Sequence, residues 1–219
     1  VKEKGWELRA HPEARYDSVL VNLPYPSTLQ LNRLYTREFF ALVREIMTDD
    51  GILAIGLPGS TAYLGAELRS LNATLDTTLR AVFPQVRPVP GDFNLSLASP
   101  AADLTRITPA TILQRGKARS LQVTILTDTY LRYRLDDRRL RWFRDQLRRD
   151  EDTRVNEDLS PAGLGAGLAY WTALFFPWMS GYWVFLSRLN LPVLALPLMS
   201  LALLIQALRR RIPQRGQWQ

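Results

Sequence analysis

The segment YDSVLVNLPYPSTLQLNRLYTREFF, Tyr16 to Phe40, constrains this chain more than any other stretch. Ser18 to Val21 is a short apolar and β-branched run that stops at Asn22, a Pro-rich corner follows at Leu23 to Ser27, and apolar residues fall at helical spacing from Leu34 onward. The pattern predicts a strand, a loop and a helix. In an open α/β sheet, ligands bind at the loops that leave the carboxyl ends of strands, so Asn22 to Thr28 is the first candidate site.

The next segments extend the same plan. Asn32 is a fair N-cap, and Tyr35, Phe39, Leu42, Val43 and Ile46 form one apolar stripe. Asp49 to Gly51 should end that helix, and Ile52 to Leu57 reads as a buried parallel strand. After a corner at Pro58, Gly59 and Ser60, apolar residues from Leu64 to Val82 repeat at helical spacing until Pro84 stops them. Val86 to Val89 and Phe93 to Ala98 predict two strands joined around Pro90, Gly91 and Asp92, a link short enough to make them antiparallel. Thr108 and Pro109 open a short capped helix, and the alternation of Leu121, Val123 and Ile125 predicts a strand or extended segment over Ser120 to Leu126. Thr127 or Asp128 caps a further helical stretch. Asp136 to Arg149 is a charged helix with a narrow stripe of Leu140, Phe143 and Leu147.

Two runs lack charge entirely, Leu159 to Ser187 and Leu189 to Leu208, and each exceeds the roughly 20 residues that a helix needs to cross a bilayer. A pair of membrane spans is expected, with two buried core helices as the other reading. Arg148, Arg149 and Arg154 precede the first run and Arg209, Arg210, Arg211 and Arg215 follow the second, which sets both ends on the cytoplasmic side. Gly163 and Gly167 form a small-residue pair suited to close approach by another helix. The chain thus divides into an α/β region at 1–130, a charged juxtamembrane segment at 131–158, two transmembrane helices at 159–208 and a basic cytoplasmic tail at 209–219. The expected location is a membrane crossed more than once, and the expected partners are the lipid bilayer and other transmembrane helices.

The net charge of +7, from 28 Lys and Arg against 21 Asp and Glu, favours anionic headgroups. It argues against nucleic acid, because aromatic residues are not interleaved with a basic groove. With no cysteine, thiolate chemistry and disulfides are excluded, and the lone His11 offers no metal cluster. The chain begins at Val1 without an initiator Met, so its start is expected to lie inside a longer protein.

The Tyr16–Phe40 string resembles the second half of spermidine synthase-like domains, the polyamine aminopropyltransferases, especially the subset fused to transmembrane helices. The likeness continues at PGDFNLSLAS, Pro90 to Ser99, and at VNEDLSPAGLGAGLAYW, Val155 to Trp171. It implies the carboxyl-terminal half of a class I methyltransferase-type, Rossmann-like α/β sheet followed by a two-helix membrane hairpin. It also implies transfer of an aminopropyl group from decarboxylated S-adenosylmethionine to a diamine. In that family two loop carboxylates, in a D-x-x-D-P pattern, attract the cationic amine and accept its proton. Here Asn22 and Tyr25 take those positions, ahead of Pro26. An amide cannot act as a base at neutral pH, so activity is expected to be impaired.

Asp92 is a candidate substrate contact or a plain turn residue, and Tyr35 is a candidate pocket residue or part of the core. No G-x-G-x-x-G-like turn is present, and Gly56 to Ser60 reads as a tight turn. No cofactor site is therefore expected in this chain, and decarboxylated S-adenosylmethionine would depend on a missing amino-terminal half. A non-catalytic binding or regulatory domain on a transporter-like bundle is the alternative, and a methyltransferase acting on another substrate is a third.

Overall fold

The computed structural model describes residues 14–150 and 153–176, with positions 178, 182, 200 and 206 beyond them. Trp6 to Leu8, which the sequence suggests as the end of a short strand, His11, the Arg209–Arg215 cluster and all but two positions of the run from Leu189 to Leu208 lie outside the described residues.

β1 (Tyr16–Val21) runs parallel to β2 (Met47–Pro58), with Val19 opposite Leu53 and Val21 opposite Ile55. Between them come α1 (Leu29–Asn32) and α2 (Arg37–Glu45). α3 (Ala66–Arg80) leads to β3 (Gln85–Val89), and β4 (Phe93–Ser99) then inserts between β2 and β3. The strand order is β1-β2-β4-β3, with β4 antiparallel to both neighbours. Only Pro90, Gly91 and Asp92 link β3 to β4, too few for a crossover, so the reversal is forced. This is a mixed, four-stranded α/β sheet of Rossmann-like type.

One face of the sheet carries the core. Leu53, Ile55 and Leu57 alternate inward along β2 and meet Phe40 and Val43 of α2 and Leu71, Leu75 and Leu79 of α3. Each fully buried Leu or Phe contributes about 1.5–3 kcal/mol, so this face dominates folding. The opposite face is only half covered. Leu20 on β1 is 75% exposed there, and Ile52, Ala54, Leu95 and Leu97 are half-buried.

Beyond β4 come a 3-10 turn (Leu104–Arg106), α4 (Pro109–Ala118), α5 (Asp128–Arg134) and α6 (Asp137–Arg148). As the stripe predicts, α6 buries Leu140, Phe143 and Leu147, the last two in a second small cluster with Leu64 and Ala73. α7 (Ala162–Phe175) packs on α3 and buries its small residues Ala162, Gly163, Gly165, Ala166, Gly167 and Ala169.

Four expectations change. Asn32 does not cap α2: it closes α1, and Thr36 accepts the hydrogen bond from Phe39 N instead. The strand after α2 starts at Met47 rather than after Gly51, because Tyr16 N already bonds Ile46 O and draws the chain alongside β1. Ser120 to Leu126 is no strand. Leu121 N bonds Gly116 O and Ser120 N bonds Lys117 O, a Schellman-type stop that turns the chain back over α4 and away from any strand edge. Finally, what the Gly163 and Gly167 face meets is the loop at Pro26 and Ser27, Asn156, and Asn32 at the end of the short helix α1. Of the predicted hairpin, the described part is α7, whose 14 residues span about 21 Å against a hydrocarbon core of roughly 30 Å. Among the described residues no helix is long and apolar enough to cross a membrane.

Candidate functional site

The loop from Asn22 to Thr28 leaves the carboxyl end of β1, beside the carboxyl half of its parallel neighbour β2. Its backbone is held from beneath by Tyr35. That side chain is 3% exposed, and its hydroxyl lies 2.9 Å from Pro24 O and 3.2 Å from Leu23 O, so its proton is shared between the two carbonyls. Burial pushes the Tyr35 hydroxyl up to about 12, so it stays a neutral donor across the physiological range. Tyr35 thus fixes the loop's shape from the core side, and the sequence stripe that contained it points to that burial.

From above, the loop is held by α7. The rings of Tyr25 and Tyr170 meet edge to face, with centroids 5.3 Å apart. A Cβ at Gly167 would run into the carbonyl oxygen of Pro26, so only glycine lets α7 come this close. Burial, and after it the phenol of Tyr170, push the Tyr25 hydroxyl above its ordinary value. Asn22 is exposed, and its side chain makes no hydrogen bond among the described residues.

A buried asparagine ties these parts together. Asn156 Nδ2 donates to Tyr35 O, its Oδ1 accepts from Gly163 N, its backbone N donates to Thr78 Oγ1, and its backbone O accepts from Arg37 N. Four bonds from one 1%-exposed residue lock α2, α3 and α7 beneath and beside the loop. Beside it, Arg37 pairs with Glu157 at 2.9 Å on the surface, where such a contact contributes at most about 1 kcal/mol. Composition and periodicity do not mark Asn156, because a polar residue in an irregular, charged stretch is ordinarily solvated.

The neighbouring corner is built the same way. Asn72 Nδ2 donates to Pro58 O and Leu68 O, Asn94 Nδ2 donates to Asn72 Oδ1, and Gly91 N donates to Asn94 Oδ1. Gly59 N bonds Asp92 O at 2.9 Å, closing the β2 corner onto the β3–β4 turn. The Asp92 side chain is exposed at the tip of that turn. Val21 pairs with Ile55, and Gly59 bonds Asp92 on the far side of β2. Asp92 therefore stands two strand spacings across and three residues along from Asn22, roughly 14 Å away. The structure does not bring the two together.

The β2 corner is packed around its glycines. The space where Gly59 would carry a Cβ is taken by Gly91 O and the Asn94 amide, and the Phe93 ring covers Gly56. Residues Gly56 to Ser60 thus form a closed turn. Among the described residues no group of His, Cys, Asp or Glu could hold a metal ion. No carboxylate bonds Asn22 or Tyr25 among them either. Among the described residues the loop thus carries an exposed amide, Asn22, and a neutral phenol, Tyr25, packed against Tyr170.

No family profile matches the chain. Over 74 residues it is 39% identical to polyamine aminopropyltransferase 2 of Streptomyces coelicolor, a match covering 34% of this chain and 12% of the relative. Over 118 residues it is 30% identical to the polyamine aminopropyltransferase of Pyrobaculum calidifontis, covering 52% of this chain and 40% of the relative. A 40-residue match to the enzyme of that name from Oceanobacillus iheyensis reaches 48% identity, covering 18% of this chain and 8% of the relative. The chain therefore spans less than half the length of each of these curated proteins, and a Rossmann-like sheet with distant similarity to polyamine aminopropyltransferases is what sequence and geometry together establish.

Proposed function

We propose that this chain is the carboxyl-terminal part of a spermidine synthase-like protein, that its Asn22–Thr28 loop faces a diamine or polyamine, and that aminopropyl transfer there is weakened. The observation that carries the reading is the loop itself, which leaves a parallel strand of a Rossmann-like sheet with Asn22 and Tyr25 in the positions where the resemblance calls for acids. Among the described residues the outer edge of β1 has no strand beside it, and with the half-covered second face this supports a larger sheet, in which further strands and helices would complete the domain. Decarboxylated S-adenosylmethionine would be held by such further residues, since the turn at Gly56 to Ser60 is packed against Gly91, Asn94 and Phe93.

The chemistry follows from the side chains. The attacking amine of a diamine is protonated at neutral pH and must lose a proton to attack the carbon beside a sulfonium. A positioned base contributes about 10² to 10⁴ in rate, and Asn22 supplies orientation without that step. The full-length protein, given decarboxylated S-adenosylmethionine and putrescine, should form spermidine slowly, and the double replacement Asn22→Asp with Tyr25→Asp should raise the rate. A native rate equal to that of polyamine aminopropyltransferases with both acids, unchanged by the replacement, would overturn the impaired reading.

A second reading has its own observation. Tyr25 packs against Tyr170 and Pro26 is pressed onto Gly167, so the loop is covered by α7 as a finished interface. A domain that binds without turnover, or one that only supports a membrane bundle, suits that closure. Calorimetry separates them: polyamine binding without product favours a sensor, and no binding favours a structural role. Membrane attachment is part of the proposal in either case. It is supported by the charge-free runs and by the exposed apolar residues Trp171, Leu174, Phe175 and Phe176 at the end of α7.

A further inference from the structure

α4 and the loop that follows it form a surface unlike any other on the described chain. None of the residues of α4 is buried. The Schellman-type turn at Ser120, where φ is 53°, folds the loop back beside the helix, and a shallow cleft of about 300 Å³ lies between them. Ile112, Leu113, Leu121, Val123 and Leu126 line it, and Ile125 beside them is 65% exposed. Arg115, Lys117 and Arg119 ring the same cleft, all exposed. Between Asp103 and Asp128 the sequence contains no acidic residue.

Exposed aliphatic side chains interleaved with unopposed cations match one environment well, the boundary between headgroup phosphates and acyl chains. A twofold contact with a second copy fits badly, because it would set the three cations against themselves. We propose that α4 and the 120–127 loop dock onto an anionic lipid surface, with Leu121, Val123 and Ile125 entering the acyl boundary and Arg115, Lys117 and Arg119 meeting phosphates. The chain reaches this surface from Ala101, whose N donates to Asp49 O near the start of β2, at the opposite end of the sheet from Asn22. The inference therefore stands apart from the diamine reading, and neither depends on the other's test.

The absence of cysteine gives a direct probe. The full chain with Val123→Cys, labelled with an environment-sensitive fluorophore and reconstituted with vesicles, should shift to the blue and be quenched by shallow spin-labelled lipid when about a third of the lipid is phosphatidylglycerol. Pure phosphatidylcholine should give little change, and a label at Leu42→Cys on α2 should not respond. Each cation near the surface is expected to be worth about fivefold, so Arg115→Gln, Lys117→Gln and Arg119→Gln together should weaken docking on the order of 100-fold. Circular dichroism of that variant, with unchanged helix content, shows that the fold is retained. No blue shift, an equal shift in both lipids, or a shift that falls when the protein is diluted among vesicles would each overturn the proposal, the last by pointing to a second copy.

Discussion

α3 and α4 reverse the usual relation between local signal and burial. α4 is well marked, with Thr108 accepting from Thr111 N and Pro109 in its first turn, yet it buries no residue. α3 begins at Gly65 with no side-chain cap, yet seven of its 15 residues are buried, and it touches β3, α2, α6 and α7. Local signals decide whether a segment is helical, and packing decides what the helix does. α3 is the post around which the loop at Asn22 is braced, whereas α4 keeps its apolar surface for something outside the described chain.

Substitutions should separate the two regions sharply. Phe143→Ala, in the cluster against α3, should cost about 3–5 kcal/mol in a denaturant titration, as large truncations in a packed core do. Asn156→Ala leaves Gly163 N and Tyr35 O without partners, which should cost about 2–4 kcal/mol and expose the loop to proteolysis near Pro26. Gly167→Ala should cost about 1–3 kcal/mol by pushing α7 off Pro26, and the Tyr25–Tyr170 contact should loosen with it.

Tyr35→Phe should cost about 1 kcal/mol through the loss of one hydroxyl donor. It also removes a pH dependence. The folded-state value of the hydroxyl, about 12, lies above its ordinary 10.0, so the stabilisation is complete below pH 10 and is lost as pH rises through 12. Denaturant titrations of the parent should show that decline, and the Phe variant should show less of it.

At the other extreme, Ile125→Ser should change stability by no more than about 0.5 kcal/mol in lipid-free solution, because nothing in the fold rests on that side chain. Ser120→Gly should be mildly stabilising, by up to about 1 kcal/mol, since it relieves a positive φ. If Ile125→Ser proved as costly as Phe143→Ala, the contrast between the two regions would be wrong.

Much of the α/β plan is legible in the order of residues alone, because β1, β2, α3 and the reversed pair β3 and β4 each carry strong periodicity and clear stops. The boundaries around Asn32 and Met47 are harder, since both depend on which backbone groups another segment takes up. The candidate loop is legible as well, with Asn22 at its start and Tyr25 ahead of Pro26. Its bracing is not: Asn72, Asn94 and Asn156 look like solvated residues until the parts of the chain they join are placed side by side. The alternation at Leu121, Val123 and Ile125 misleads for the complementary reason, because a strand needs a neighbour's edge and the turn at Ser120 denies it one.

Residue type and short-range spacing alone set the succession of strands and helices, the forced reversal at Pro90 to Asp92 and the presence of Asn22 and Tyr25 in the loop after β1. Packing fixed the rest: α7 closes over that loop, Asp92 stands roughly 14 Å from Asn22, and α4 buries none of its residues. Those outcomes depend on contacts between residues far apart in the chain, whose energies no local pattern contains.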